Sequence, residues 1–419
     1  MKTILLYIDP ASTSALLYII IAIGATLAFA LKGFFYKIKN LFLGKGFKSS
    51  SDFDGVDIIF YSEGKQYWSV FKPIIQALEK RNVECVYLTS DELDPGLQYE
   101  SDLLKRKYIG NLTMTSVYLN KLKAKFVGMT TPQLDVMMIR RSKNVQHYAH
   151  IVHAPIDVFT YRKFAFDYFD SVFCSGYHQI EGIQKLEEKR GTDKKKLLET
   201  GFTVYDVMLE DIKKLPKPQK ERPIVLVAPT WKEYSILNRF GTEFFDHLLK
   251  DDSYDVILRP HPQTYVSFPK LIAEIEEKYK NETRFKIDTN PLGTESMHQS
   301  DMMIGDLSGV FWDYAFVYSK PVLLLKTDFG TIEGFEGSEL DYEMWEMRER
   351  EKLGKQFDEN DLPNISKIVK ELLDNPPLNK LETLRDESVY NFGKAGKVAA
   401  EQIIDILKTI DSETSLSSK

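Results

Sequence analysis

The sequence predicts an α/β protein made of two doubly wound domains that face each other across a cleft. Three observations carry this reading. Short apolar runs of strand length alternate with helical patterns from Val56 to Leu325, which implies βαβ units and parallel sheets. A stretch rich in proline and lysine, Leu215 to Pro223, divides the series in two. The chain has 419 residues, 43% of them hydrophobic and 28% charged, enough for two domains with full cores.

The elements follow in order. Ala11 to Leu31 carries no charge and is dominated by Leu, Ile, Ala and Tyr. A bilayer span needs about 20 apolar residues, so this run predicts a single transmembrane helix. Lys32, Lys37, Lys39, Lys45 and Lys48 follow it, and only Lys2 and Asp9 precede it. The positive-inside rule then puts the N-terminus outside and the rest of the chain in the cytoplasm. A signal peptide ending near Ala28-Phe29-Ala30 is the alternative, but its basic residues would stand on the wrong side. Residues 1–53 are thus expected to be an anchor, spanning about 11–31, and a basic linker.

A first Rossmann-like domain is expected over 54–215. Its predicted strands are Val56 to Tyr61, Val83 to Leu88, Lys123 to Gly128, Ala149 to Val152 and Ser171 to Cys174, with a further strand ending at Thr200-Gly201-Phe202. Helices are expected at Tyr67 to Lys80 and around Ser116 to Leu122. A second domain is expected over 223–411, with strands at Ile224 to Ala228, Asp255 to Leu258, Met302 to Ile304 and Pro321 to Leu325. Segments 362–373 and 395–410 read as its closing helices. Residues 412–419 read as a disordered tail.

Acidic residues outnumber basic ones, 61 to 55, for a net charge of −6, which argues against a general nucleic-acid binder. Cys85 and Cys174 are far apart in apolar runs. They read as buried, inert thiols, not as a disulfide or zinc pair. His147, His150 and His153 repeat every three residues. In a strand, His150 and His153 point to opposite sides, so no metal site is expected and no cofactor is called for.

The chemistry concentrates at strand ends. His153 follows a strand, where open α/β sheets bind ligands, and its near-neutral pKa suits a general base. A structural histidine in a turn is the plainer alternative. Arg259-Pro260-His261-Pro262 closes another strand. Arg259 and His261 share a side if the chain stays extended, and two converging donors suit a diphosphate. A solvated surface arginine is the alternative. Asp306-Leu307-Ser308-Gly309 opens a helix, where Ser308 with the free donors at 309 and 310 suits phosphate, or simple capping. At Ala228-Pro229-Thr230-Trp231-Lys232, Thr230 can donate to phosphate and Lys232 can neutralise it. Gly201 permits close approach of a ligand or of the other domain.

In this order, these residues resemble the CDP-glycerol glycerophosphotransferases of teichoic-acid synthesis, the family of poly(glycerol phosphate) polymerases and primases. The matching elements are His153, Thr200-Gly201 with Asp206, Ala228 to Trp231, Arg259 to Pro262, Asp306 to Ala315, and Lys320-Pro321. They span roughly residues 140–330. The resemblance implies a GT-B-like fold. It implies transfer of glycerol phosphate, or a related polyol phosphate, from CDP-glycerol or a related CDP-polyol to a hydroxyl of a lipid-linked or growing surface glycan, releasing CMP. His153 would deprotonate the acceptor, and Arg259 and His261 would bind the diphosphate and stabilise departing CMP. Thr230, Ser308 and Gly309 would anchor phosphate, supported by Lys232, Gly201 and Asp306. The family's usual Asp-Tyr-Ser-Ser reads Asp306-Leu307-Ser308-Gly309 here, and Ala154-Pro155 stand where glycine usually follows the cleft histidine. Two other readings stay open: a GT-B glycosyltransferase using a nucleotide sugar, and a non-catalytic membrane scaffold for surface-polymer synthesis.

Overall fold

A computed structural model describes residues 53, 55–290, 293–327 and 333–417. The segment 11–31 lies outside these residues. Among the described residues no helix is long and apolar enough to cross a membrane.

Two parallel sheets form the two Rossmann-like domains. The first contains β1 (Ile58–Ser62), β2 (Cys85–Thr89), β3 (Leu104–Tyr108), β4 (Lys123–Met129), β5 (Asn144–Ile151), β6 (Ser171–Cys174) and β7 (Lys196–Glu199). Its spatial order is β3-β2-β1-β4-β5-β6-β7. The second contains β8 (Ile224–Val227), β9 (Asp255–Leu258), β10 (Phe285–Ile287), β11 (Met302–Gly305), β12 (Val322–Leu325) and β13 (Lys355–Phe357), in the order β10-β9-β8-β11-β12-β13. The order reverses between β1 and β4 in one sheet and between β8 and β11 in the other. Such switch points open crevices at the carboxyl ends of strands.

Period-two burial builds both cores. In β1, Ile58 and Phe60 pack on one face of the sheet while Ile59 and Tyr61 pack on the other. In β8, Val225 and Val227 face one layer while Ile224 and Leu226 face its opposite. The strands are apolar on both sides because helices cover both. Three edge strands, β3, β10 and β13, were not expected. They are short or charged (Leu-Lys-Arg-Lys-Tyr in β3), as edges that avoid pairing with other chains tend to be. Cys85 and Cys174 are buried free thiols, and burial pushes both thiols well up.

The C-terminus departs from expectation. The helix Ala395–Ser417 packs on Trp68–Glu79 of the first domain, and Ala399, Ala400, Ile403 and Ile406 sit in the first domain's core. It therefore closes the first domain and not the second, because its small apolar face fits against Pro73 and the sheet. A Cβ on Gly396 would lie 2.4 Å from Pro73 Cβ. Residues 412–417 continue this helix instead of fraying, with Ser412 Oγ donating to Lys408 O and Thr414 Oγ1 to Ile410 O.

The return crossing uses the Thr200-Gly201…Asp206 element. Gly201 has φ +96°, and its Cα lies so close to the Tyr390 carbonyl that a Cβ would meet that oxygen at 2.1 Å. Asp206 accepts from the backbone N–H groups of Ala395 (3.2 Å) and Gly396 (2.8 Å), at the start of the last helix. Burial raises its carboxyl to about 6, and those two donors pull the other way. Thr200 Oγ1 donates to Gln402 (2.7 Å). Gly201 thus admits the chain's own crossing segment, not a ligand.

Candidate active site between the two sheets

His153 lies two residues beyond β5, at the carboxyl edge of the first sheet. Its ring stands edge-on to Tyr67 (5.2 Å) and Tyr161 (5.5 Å). Burial lowers its pKa below the ordinary imidazole value, against a backbone hydrogen bond to Thr130. Its Nδ1 is buried and makes no hydrogen bond. An imidazole held neutral, with an uncommitted lone pair, is equipped to accept a proton. His150 differs. It is enclosed by Tyr161, Phe166 and Phe169, and burial pushes its pKa down to about 3, so it stays a neutral core residue. His147 bonds Ser171 Oγ (2.8 Å) and stacks on Phe126.

The loop after His153 is tied down by residues that the motif reading did not single out. Gln179 Nε2 donates to Ala154 O (3.0 Å) and Ile156 O (2.8 Å), while its Oε1 accepts from Ser175 N (2.7 Å). His178 Nε2 bonds Pro155 O (2.8 Å), and its ring stacks on Trp345 from the second domain at 4.2 Å. Asp157 accepts from Val158 N and, across the domain boundary, from Trp345 N (3.0 Å). Its own N–H donates to Glu346 (3.2 Å). Burial raises both carboxyls, Asp157 to about 6 and Glu346 to about 8. The visible signal in the sequence was Ser175-Gly176-Tyr177-His178-Gln179, a strand end running into polar residues.

The second sheet supplies the facing crevice. Thr230 follows β8 and Ser308 follows β11, so both sit at the switch point. Asp306 is buried and organises this corner. Its carboxylate accepts from the N–H groups of Leu307 (2.8 Å), Thr230 (2.9 Å) and Ile236 (3.0 Å), and its carbonyl accepts from Arg350 (3.0 Å). Burial raises its pKa against those three donors and Arg350. Asp306→Ala should strand these N–H groups, at about 2–3 kcal/mol of stability. Denaturant unfolding checks this.

Gly309, not Ser308, takes the N-cap position of the helix Val310–Val317. Ser308 Oγ stands 3.4 Å from Val310 N, a marginal cap. A Cβ on Gly309 would have one neighbour within 4 Å, Ile156 Cγ2 at 4.0 Å. Ile156 belongs to the His153 loop, so this contact sets the two sheet edges face to face. Lys232 is exposed and lies over the Trp231 ring at 3.9 Å.

His261 is exposed and caps the helix Pro262–Ser267. Its Nδ1 accepts from Gln263 N (3.1 Å). In the neutral ring this bond leaves the proton on Nε2, so the other edge is a donor. Desolvation lowers its pKa. Arg259 does not share that edge as a free donor. Its Nη1 donates to Asp288 (2.7 Å) and Asn290 O (2.8 Å), because Asp288, itself fixed by Ser296, competes for the guanidinium. Lys320 is likewise structural. Its ammonium donates to the carbonyls of Met297, His298 and Ser300, and burial lowers its pKa to about 8.

This set of strand-end residues overlaps a family signature. Residues 174–350 match the model of the family described as CDP-Glycerol:Poly(glycerophosphate) glycerophosphotransferase. The chain is an enzyme of the CDP-glycerol glycerophosphotransferase type. Solved structures share the fold of this glycerophosphotransferase-type chain. The wall teichoic acid polymerase TagF is 18% identical, with a TM-score of 0.55 over 91% of this chain and 99% of that one. The UDP-GlcNAc 2-epimerase from Methanocaldococcus jannaschii is 15% identical, with a TM-score of 0.58 over 84% and 99%. The epimerase from Neisseria meningitidis, bound to UDP-GlcNAc, is 14% identical, with a TM-score of 0.54 over 83% and 100%. At these identities the likeness concerns the fold alone. No curated protein sequence matches the glycerophosphotransferase-type chain significantly.

Proposed function

We propose that the protein moves glycerol phosphate, or a related polyol phosphate, from a CDP-activated donor to a hydroxyl of a surface glycan and releases CMP. The observation that supports this most is that the carboxyl edges of the two sheets face each other. His153 lines one edge, Thr230, Ser308 and Gly309 line the other, and Ile156 faces Gly309 between them. TagF, whose fold is shared, has been examined with CDPG.

In this mechanism the donor's diphosphate lies against the backbone N–H groups at Gly309 and Val310, where a helix N-terminus favours an anion. His153 takes the proton from the acceptor hydroxyl as the oxygen attacks the phosphorus bonded to the glycerol. The bond from that phosphorus to the bridging oxygen breaks, and CMP leaves with the electron pair. His261, donating through Nε2, stabilises the charge on the leaving phosphate. Arg259 contributes through position: paired with Asp288, it holds the loop that follows β10.

The test is CMP release by purified protein given CDP-glycerol, CDP-ribitol or UDP-sugars with a glycan acceptor. Turnover of a UDP-sugar alone would replace this reading with a glycosyltransferase. Gly309→Ser supplies a hydroxyl where the family has one, and space exists for it. It is expected to lower the KM for CDP-glycerol about fivefold, the value of roughly one added hydrogen bond.

We also infer that Ala11 to Leu31 anchors the chain in the membrane with both domains cytoplasmic, where nucleotide donors are made. The uncharged run and the lysines after it support this. Removing residues 1–31 should shift the protein from the membrane pellet to the soluble fraction.

A further inference from the structure

The second-sheet crevice is occupied in the proposal above by donor phosphate. The first sheet has a crevice at the equivalent place, between the ends of β1 and β4, and nothing so far uses it. A cavity of about 290 Å³ opens there, lined by Tyr61, Glu63, Thr115, Thr131, Met137 and Met138 among others. That is close to the lower end of the ~300–1,000 Å³ range of small-molecule clefts.

Its hydroxyl groups are mostly committed to one another. Tyr61 OH bonds Ser90 Oγ (3.0 Å), Ser90 bonds Thr115 Oγ1 (2.6 Å), and Thr115 donates to Gly110 O (2.9 Å). The neighbouring cations are turned elsewhere, Arg140 to Asp135 and Arg141 to Asp170. Glu63 is half-buried, and no cation pairs with it among the described residues. The Thr130 hydroxyl is buried without a hydrogen-bond partner, and Thr131 stands beside the Glu63 carboxylate. Met137 and Met138 form an exposed apolar rim, 61% and 50% accessible. The crevice lies near His153: Thr130, next to the lining residue Thr131, bonds the His153 ring through its backbone.

A carboxylate without a counter-cation, an unsatisfied hydroxyl nearby and a polarizable apolar rim together select for hydroxyl donors with apolar C–H faces. They select against anions, because a phosphodiester beside Glu63 would put like charges together in a partly dry site. We propose that this crevice is the acceptor subsite and that Glu63 makes it specific for an uncharged sugar instead of a phosphate-bearing polymer end. This rests on the transferase reading for its place in the reaction, but the binding itself can be measured without a donor.

The experiment titrates the full chain calorimetrically with methyl β-N-acetylglucosaminide and with its 6-phosphate. The neutral glycoside is expected to bind at least tenfold more tightly. Glu63→Gln should weaken the neutral glycoside about fivefold or more with an unchanged thermal midpoint, and Glu63→Lys should bring the two ligands within about twofold or invert them. Equal binding of both ligands to the unmodified chain, no binding of the neutral one, or a ratio indifferent to both substitutions would overturn the proposal. Failure of CDP-glycerol turnover would sink the transferase reading alone and leave this result standing.

Discussion

His153→Ala should lower the rate of CMP release by about 10²–10⁴-fold, the usual worth of a positioned general base. The expected loss lies in kcat, with little change in the KM for CDP-glycerol, because the proposed mechanism places the donor against the opposite sheet edge. The folded state should survive, since the ring's Nδ1 has no partner to lose and the losses are one hydrogen bond to the Thr130 backbone and edge contacts with rings such as Tyr67 and Tyr161. The pH dependence follows from burial. The histidine must be neutral to act, and its pKa is depressed below the ordinary 6.5. The rate of the unmodified enzyme should therefore stay flat down to pH 6.5 and fall only below it, as His153 gains its proton. His261 adds no limb near neutrality, because it donates through Nε2 in its uncharged form. A rate that falls already between pH 8 and 7 would contradict this assignment. So would a His153→Ala protein with full activity, which is what a scaffold predicts.

Gly201→Ala should destabilise the fold by about 4 kcal/mol or more, among the largest effects of a single methyl group. Two causes act together. The residue has φ +96°, which a Cβ disfavours, and the added carbon would fall 2.1 Å from the Tyr390 carbonyl oxygen. That oxygen is backbone, so no rotamer change relieves the clash. The crossing segment would have to move, carrying Asn391, which donates to Glu199 O, and the Asp206 bonds to Ala395 and Gly396. The measurement is urea unfolding, read with amide hydrogen exchange in Ala395–Ser417. Exchange there should accelerate more than in β8 or β11. Uniform acceleration would mean that the final helix is not coupled to Gly201.

The sequence was most readable where chemistry forces composition. Central strands buried on two faces must be apolar, so Ile224 to Val227 and Ser171 to Cys174 could be placed almost to the residue. Edge strands escape that demand. β3 is mostly basic, and its strand state comes from pairing with β2, a long-range fact no local pattern holds. The site divides in the same way. His153, His261, Thr230, Asp306 and Ser308 announce themselves because they interrupt apolar runs at strand ends. The pairing of Arg259 with Asp288 was not foreseen because Asp288 lies on a neighbouring strand end and is brought close only by the β9–β10 register. Gln179, Asp157 and Glu346 were overlooked for a related reason. Gln179 acts on the His153 loop from another element and Glu346 from another domain, while Asp157, within the loop, is tied to Trp345 of that domain. Gly201 and Asp206 were noticed, but their use was not, since the last helix was assigned to the nearer domain.

The first domain's dependence on Ala395–Ser417 has a consequence for how the protein is made. Synthesis proceeds from the N-terminus, and domains ordinarily fold in that order. Here the order must invert. The sheet from β8 to β13 is complete by Phe357, whereas the first core lacks Ala399, Ala400, Ile403 and Ile406 until residues 399–406 are added. The ribosome therefore carries a chain whose second sheet is already made while its first domain still waits for the helix Ala395–Ser417. During that interval the apolar face of Trp68–Glu79 that the helix covers is left bare.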